Sequence, residues 1–251
     1  MRVYLSTVLN SSVIMNKPEA EERLKNTHIL QSYAYDFKGV EKYYPMCKSV
    51  MLDSGAFTVM NSKNKRNNFD PMKYCKDYAN HIKQNNIDLF LELDIEGDYG
   101  FEVYRDCLHQ LQDITGRQPI YVFHKWRGLN YYKEIVKRVP YVALGDVSVG
   151  AGSREIYKYF PWFINEAHKR KVKIHGLGFT HLKKLHEYHF DSVDSTSWVF
   201  GNKFGSVYKF DGKTIQKHDK PIGHTLANSR KTAVNNYIEW VKFQKYAETH
   251  F

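Results

Sequence analysis

Short apolar runs rich in β-branched residues recur along this chain, each followed by an amphipathic stretch, and that alternation leaves few folds open. The runs lie at 2–8, 49–52, 88–93, 120–123, 141–144, 172–174 and 190–193. Helix-like segments fall near 70–84, 101–113, 129–138, 154–170 and 180–187. Strand, helix, strand with short connections implies a parallel sheet, because neighbouring parallel strands need a crossover that a helix supplies. Seven strands are visible, and an eighth fits at 28–33. Two architectures satisfy the pattern: a closed barrel and an open doubly wound sheet.

The strand ends favour the barrel. At or just past the carboxyl ends stand Asp53, Asp94 with Glu96, His124, Gly145 with Asp146, His175 with Gly176, and Asp194. In a barrel that rim carries the active site, assembled from the ends of several strands. Strands also end in polar turns for conformational reasons alone, but turns favour Asn, Ser and Pro as much as Asp and His. The expected fold is α/β, a (β/α)8 TIM barrel, and a length of 251 residues suits it. We expect a single domain, 1–251, with the barrel over about 1–200 and a C-terminal extension over about 201–251 packed on it. In the extension, VYKFDGKTI reads as a hairpin around Asp211 and Gly212. A final helix over about 226–248 carries Val234, Tyr237, Ile238 and Val241 at i, i+3, i+4 and i+7, an apolar stripe expected to face the barrel.

Composition narrows the class. Apolar content of 42 % with 15 % aromatics can fill a core and argues against disorder. No run of about 18 apolar residues occurs, and the first residues lack the apolar block and cleavage site of a signal peptide, so a soluble cytoplasmic protein without membrane contact is expected. Cys47, Cys75 and Cys107 form no CxxC pair, which argues against a disulfide framework or a thiolate zinc site. Thirty-seven Lys and Arg against 27 Asp and Glu leave a net charge of +10, a balance that favours polyanion partners.

Two segments stand out chemically. In MLDSGAF (51–57) a strand delivers Asp53 to the rim, while Ser54 and Gly55 turn the chain tightly and leave room for a flat ligand. The same residues also suit an Asx-type turn that merely starts a helix. In FDSVDSTSW (190–198) Asp191 and Asp194 point opposite ways within a strand, so one of them faces the mouth. Asp194, nearer the carboxyl end, is the choice, with Asp191 as an anchor or cap.

The pair DSGAF and FDSVDS, in this order, resembles the tRNA-guanine transglycosylase superfamily. That family has an early DSGGFQ-type motif and a late strand with two Asp three apart, the second being the nucleophile. ELDIEG, YVFHKW, ALGDVSVG and HGLGF resemble its intermediate strands, so the likeness covers roughly 49–200. It implies that Asp194 attacks the anomeric carbon of a nucleotide, expelling guanine, and that Asp53 shuttles the proton of the departing and incoming bases. It implies a base pocket formed by Asp94 with Ser54, Gly55, His124, Gly145, Asp146 and Gly176. The family's Cys/His zinc motif is absent, Thr58 and His124 replace its glutamines, and Asp146 replaces a glycine. No RNA-binding extension is recognisable. These departures resemble compact, often phage-encoded DNA transglycosylases that insert 7-deazaguanine bases such as preQ0. The implied partners are DNA, alternatively tRNA, together with guanine and a 7-deazaguanine; a homodimer is possible in such a family, and neither cofactor nor metal is expected.

Rim cations fit a polynucleotide. Lys63, Lys65 and Arg66 follow the DSGAF loop, Lys125 and Arg127 follow His124, and Lys203 and Lys209 follow Asp194, with Trp126, Trp198 and Phe200 among them to stack an extruded base. HKRKVK (168–173) precedes a strand and belongs on the opposite, solvated face. His175 reads either as a ligand or base or as a hydrogen-bonded core histidine; His181, His186 and His189 lack carboxylates spaced for a metal. Two other functions fit the sequence: a metal-dependent hydrolase or lyase using Asp94, Glu96, Asp98 and Asp146, and a non-catalytic nucleic-acid-binding barrel.

Overall fold

The computed structural model describes residues 1–16, 18–35, 39–62, 69–145, 156–179, 181–199, 205–219 and 226–251. Eight parallel strands run β1 (Arg2–Ser6), β2 (His28–Ser32), β3 (Ser49–Asp53), β4 (Leu89–Phe90), β5 (Tyr121–Phe123), β6 (Tyr141–Leu144), β7 (Lys173–Gly176) and β8 (Ser192–Ser195). They lie side by side in the order β4-β3-β2-β1-β8-β7-β6-β5. The two outer strands of that row meet where Leu91 pairs with Ile120. There the Ile120 amide donates to Phe90 at 2.8 Å and the Glu92 amide to Ile120 at 3.0 Å. The sheet is a closed (β/α)8 barrel, and its β2 fills the eighth place expected at 28–33.

Side chains alternate along each strand, which sorts the apolar residues into two cores. Tyr4, Leu30, Met51, Leu91, Ile120, Val122, Tyr141 and Ala143 fill the barrel interior. Their neighbours Leu5, Ile29, Leu52, Phe90, Phe123, Val142, Ile174 and Val193 point outward into a larger core shared with the helices.

Those helices are α1 (Ser12–Met15), α2 (Ala20–Leu24), α3 (Ala56–Met60), α4 (Pro71–Gln84), α5 (Glu96–Tyr99), α6 (Phe101–Thr115), α7 (Leu129–Ile135), α8 (Phe160–His168), α9 (Leu182–Leu185) and α10 (Leu226–His250). Helix α4 starts because the Asp70 carboxylate accepts from the Lys73 amide at 3.0 Å and Pro71 presets the first turn. Helix α6 stops at Gly116, whose φ of 66° accepts the left-handed turn. On α4, Tyr78 donates to Leu52 and Leu91 at 3.1 and 2.9 Å, and Tyr74 donates to Ser54 at 2.6 Å. These two tyrosines clamp the end of β3 that carries Asp53.

Several boundaries depart from expectation. β1 stops at Ser6 because Thr7 takes a φ of 65°, a conformation that ends pairing and strains a β-branched residue. β7 and β8 each extend two residues past the apolar runs, so His175 and Asp194 lie inside the strands. Polar side chains do not end a strand when the barrel interior satisfies them. The helix expected at 154–170 is observed as a 3-10 turn over Tyr157–Tyr159 that runs directly into α8; residues 154 and 155 lie outside the described set.

The hairpin forms as expected, β9 (Ser206–Phe210) pairing antiparallel with β10 (Ile215–Asp219). Asp211 accepts from the amides of Lys213 and Thr214 at 2.9 and 2.8 Å. The expected stripe of α10 is met in part: Tyr237 is buried, and the buried face runs on to Trp240 and Phe243. Ala233, Tyr237, Trp240, Phe243 and Ala247 are buried, while Val234, Ile238 and Val241 are only partly covered. Aromatic bulk on the 237/240/243 line outweighs the aliphatic stripe, because large side chains bury more area.

Helix α10 joins the barrel through Gln244. Its amide accepts from the His28 N–H at 3.0 Å and donates to the His28 and Val3 carbonyls at 2.9 and 2.5 Å. Gln244→Ala strands three buried backbone groups, at about 1 kcal/mol or more each. Urea denaturation of this variant is expected to show a loss of about 3 kcal/mol with an unchanged slope; a loss below about 1 kcal/mol would refute the bridging role.

Candidate active site

The carboxyl ends of the strands open into a cavity of about 1350 Å³, lined by residues from every side of the barrel. Asp53, Asp94, His124 and Asp194 line it together, as do Ser54 and Gly145.

Asp194 projects inward from β8 and is 7 % exposed. Its Oδ1 accepts from the Gly178 amide at 2.5 Å and lies 3.3 Å from His175 Nε2, and its Oδ2 accepts from Ser6 Oγ at 3.1 Å. Gly178 can present that amide because it adopts a φ of 64°. Asp191, by contrast, accepts from the Ile174 amide at 2.8 Å and pairs with His168 at 3.0 Å, at the opposite end of β8. It anchors the strand, as its position three residues earlier predicts.

Asp53 is a different carboxylate. Burial pushes its pKa up to about 6, and the nearby charges of Asp194 and Asp94 push the same way, against the Gly55 amide and the Ser32 hydroxyl. The two carboxylates of one cavity thus differ: Asp194 is wrapped in donors, whereas burial holds the proton on Asp53 up to about pH 6.

A second acidic group lies across the mouth. His124 Nε2 makes a short hydrogen bond to Asp94 Oδ2, and the imidazole lies flat beside Trp126, ring centroids 6.3 Å apart. Gly145 makes this possible: a Cβ there would sit 2.5 Å from His124 Cε1. Its amide donates to Phe123 at 2.9 Å, so it accommodates the histidine rather than offering its N–H to a base. Two other glycines expected around a base do not line the cavity. A Cβ on Gly55 would meet Ala34 Cβ at 2.4 Å, and one on Gly176 would meet Phe179 Cβ at 3.1 Å, so both permit close packing within the protein.

Arg127 also departs from expectation. The turn Lys125–Arg127 directs its side chain inward, where it is 2 % exposed. It pairs with Glu96 at 2.6 Å and lies 3.8 Å from Asp94 and 4.0 Å from Glu92. The rings of Tyr104, Tyr131 and Trp126 stack around it at 5.0–5.4 Å. Buried among carboxylates, it cannot reach a phosphate. Trp198 is likewise interior, donating from Nε1 to the Ser6 carbonyl at 2.9 Å. Lys209 lies on the hairpin against α10, and HKRKVK runs into the amino end of β7. Lys125 is on the rim, 5.1 Å above the Tyr159 ring. Asp146, Lys63, Lys65, Arg66, Lys203 and Phe200 lie outside the described residues.

Sequence reasoning missed Glu92, which is 1 % exposed and lines the cavity. It accepts from Tyr104 at 2.8 Å and from the Val122 amide at 2.9 Å, and burial pushes its pKa up to about 7. The available signal was alternation: in ELD, positions 92 and 94 share one face. Lys158, Lys184 and His181 also line the mouth. Among the described residues no cluster of His, Cys, Asp or Glu forms a metal site, and the guanidinium of Arg127 stands among the carboxylates that a metal reading requires.

No family model matches the chain, and no curated protein matches it in sequence. Among solved structures, one described as a fructose-1,6-biphosphate aldolase from Coccidioides immitis is similar, with 12 % identity and a TM-score of 0.52 over 99 % of this chain and 89 % of that one. A GH113 beta-1,4-mannanase matches at 10 % identity and 0.40, over 69 % and 70 % of the two chains. The carboxyl transferase domain of Rhizobium etli pyruvate carboxylase matches at 11 % and 0.44, over 98 % and 47 %. The first likeness establishes the TIM-barrel architecture. Among the described residues no helix is long and apolar enough to cross a membrane.

Asp53 ties stability to pH. Its folded pKa of about 6 exceeds the ordinary 3.8, so the native state holds the proton more tightly. That contribution is fully present below about pH 4 and is lost as pH rises through about 6. Asp53→Asn is therefore expected to raise unfolding stability at pH 8 by about 1–3 kcal/mol and to leave it unchanged at pH 4. Equal effects at both pH values would show that Asp53 is not the titrating group.

Proposed function

We propose that this protein is an enzyme, a pentosyltransferase that exchanges guanine in a polynucleotide, DNA in preference to tRNA, for a 7-deazaguanine such as preQ0. The observation that carries this reading is the pair Asp53 and Asp194: unlike carboxylates facing one cavity large enough for a nucleotide.

Asp194, surrounded by donors, suits the nucleophile. One of its oxygens bonds to the anomeric carbon as the bond from that carbon to N9 breaks, and the electron pair leaves on the base. Asp53, with its pKa raised to about 6, is protonated in mildly acidic solution; in that form it delivers a proton to the departing base, then takes one from the incoming base. Two displacements at one carbon retain configuration and give ping-pong kinetics. Asp94, backed by His124, offers acceptor oxygens to the N–H edge of a guanine-like base. Exposed Tyr35, Phe57 and Trp126 at the mouth provide faces for stacking, and Lys158 and Lys184 provide cations for phosphate.

Incubation with DNA and labelled guanine or preQ0, followed by denaturing isolation of the protein–DNA adduct, tests the reading. Incorporation is expected in the wild type and absent in Asp194→Ala; label that enters despite Asp194→Ala overturns the assigned nucleophile. Salt-dependent DNA binding with no incorporation in the wild type would instead support a non-catalytic binding barrel. Trp126→Ala is expected to weaken single-stranded DNA binding roughly tenfold, from the ~1–3 kcal/mol of one stacked base, without abolishing adduct formation.

A further inference from the structure

Beneath Asp194 runs a line of buried hydrogen bonds that the exchange reaction, as described, does not use. Tyr141 OH lies 2.5 Å from Ser192 Oγ, and Ser192 Oγ lies 2.5 Å from His175 Nδ1. His175 is fully buried, and its Nε2 is the atom facing Asp194 Oδ1 at 3.3 Å. Tyr141 and His175 come from the adjacent strands β6 and β7, and Ser192 begins the strand that carries Asp194, so barrel closure itself brings the groups into line.

We infer that His175 is a positioning residue, locked by Ser192 and Tyr141 with Nδ1 as acceptor and its proton on Nε2, and that it thereby fixes Oδ2 of Asp194 as the reacting oxygen. The proposal rests on the base-exchange reading for its chemistry but not for its geometry. Each hydroxyl has one proton. If Tyr141 donates to Ser192, then Ser192 donates to Nδ1, and the ring must carry its proton on Nε2, aimed at the carboxylate. With one ring proton, the reverse polarity would turn the Nε2 lone pair toward an anionic oxygen, which is repulsive at that distance.

The two oxygens of Asp194 then differ. Among the described residues Oδ1 receives two N–H donors, from Gly178 and His175, whereas Oδ2 receives the Ser6 hydroxyl alone. Oδ2 keeps the lone pair that bonds to the anomeric carbon while the electron pair of the bond to N9 departs with the base. Oδ1 becomes the carbonyl oxygen of the resulting ester. In the second displacement the ester bond breaks, its electron pair returns to the Asp194 carboxylate, and the same two N–H groups stabilise the charge that develops. Removing one such donor costs roughly 10²-fold in rate.

Nitrogen-15 NMR of histidine-labelled protein decides the geometry without any substrate. The expected result is a His175 ring protonated at Nε2 and bare at Nδ1, with the Nε2 signal moving in Asp194→Asn; protonation at Nδ1 overturns the proposal. Kinetics decide the role. His175→Phe keeps a flat ring but no donor, and Ser192→Ala keeps the donor but removes its lock. Single-turnover adduct formation is expected to fall about 10²-fold in His175→Phe and less in Ser192→Ala, with DNA affinity unchanged in both. Should His175→Phe not fold, Ser192→Ala serves in its place, and a mixture of both tautomers with slowed adduct formation is the expected signature. Adduct rates equal to wild type in folded variants would overturn the positioning role. A wild type that forms no adduct yet shows the Nε2 tautomer would overturn the exchange reaction and, with it, the chemical role given to His175, leaving only the locked ring.

Discussion

Burying a carboxylate is costly unless donors replace the water it loses, and the mouth of this barrel solves that problem in unlike ways for neighbouring groups. Asp194 is given two N–H donors and a hydroxyl, all from backbone or side chains fixed by strands β1, β7 and β8 and the turn after β7. Asp53 sits within the influence of its charge with fewer donors, and its proton is held up to about pH 6. Glu92 is deeper still and relies on Tyr104, the Val122 amide and the charge of Arg127. The raised pKa values of Asp53 and Glu92 follow from this shortage of donors, burial acting first and the charge of neighbouring carboxylates after it.

The supports of these groups reach well into the fold. Tyr74 and Tyr78 on α4 hold the strand end beneath Asp53, Trp198 caps the carbonyl of the same Ser6 that touches Asp194, and Gly145 yields its side-chain volume to His124. A site assembled from the ends of all eight strands is only as fixed as the barrel's closure, which among the described residues passes through one bridge between Leu91 and Ile120. That bridge lies immediately before Glu92, whose carboxylate accepts from the next strand at Val122. A buried acid thus reinforces the narrowest seam of the sheet while shaping the cavity.

Much of the fold was legible because strand and crossover periods are written directly in the apolar pattern, β2 included. What escaped was anything decided by packing between distant segments. The buried face of α10 follows Tyr237, Trp240 and Phe243 rather than the aliphatic stripe beside them. The strand ends ran long at His175 and Asp194 because a polar side chain inside a barrel is indistinguishable, in sequence, from one in a turn. Asp53 and Asp194 were readable as rim residues, since each ends or nearly ends an apolar run. Arg127 was not: a basic residue beside Trp126 looks like a phosphate contact until Glu92, Glu96 and Asp94 are seen around it. The glycines misled for the same reason, because a sequence shows that space is needed but not whether a ligand or Ala34 fills it.

Arg127 also bears on what chemistry the cavity can carry. Its guanidinium stands within 4.0 Å of Glu92, Asp94 and Glu96, a cation in fixed, planar form ringed by Tyr104, Tyr131 and Trp126. The positive charge lies 3.8 Å from Asp94 Oδ1 while His124 bonds its Oδ2, so this carboxylate is fixed from two sides at the cavity wall.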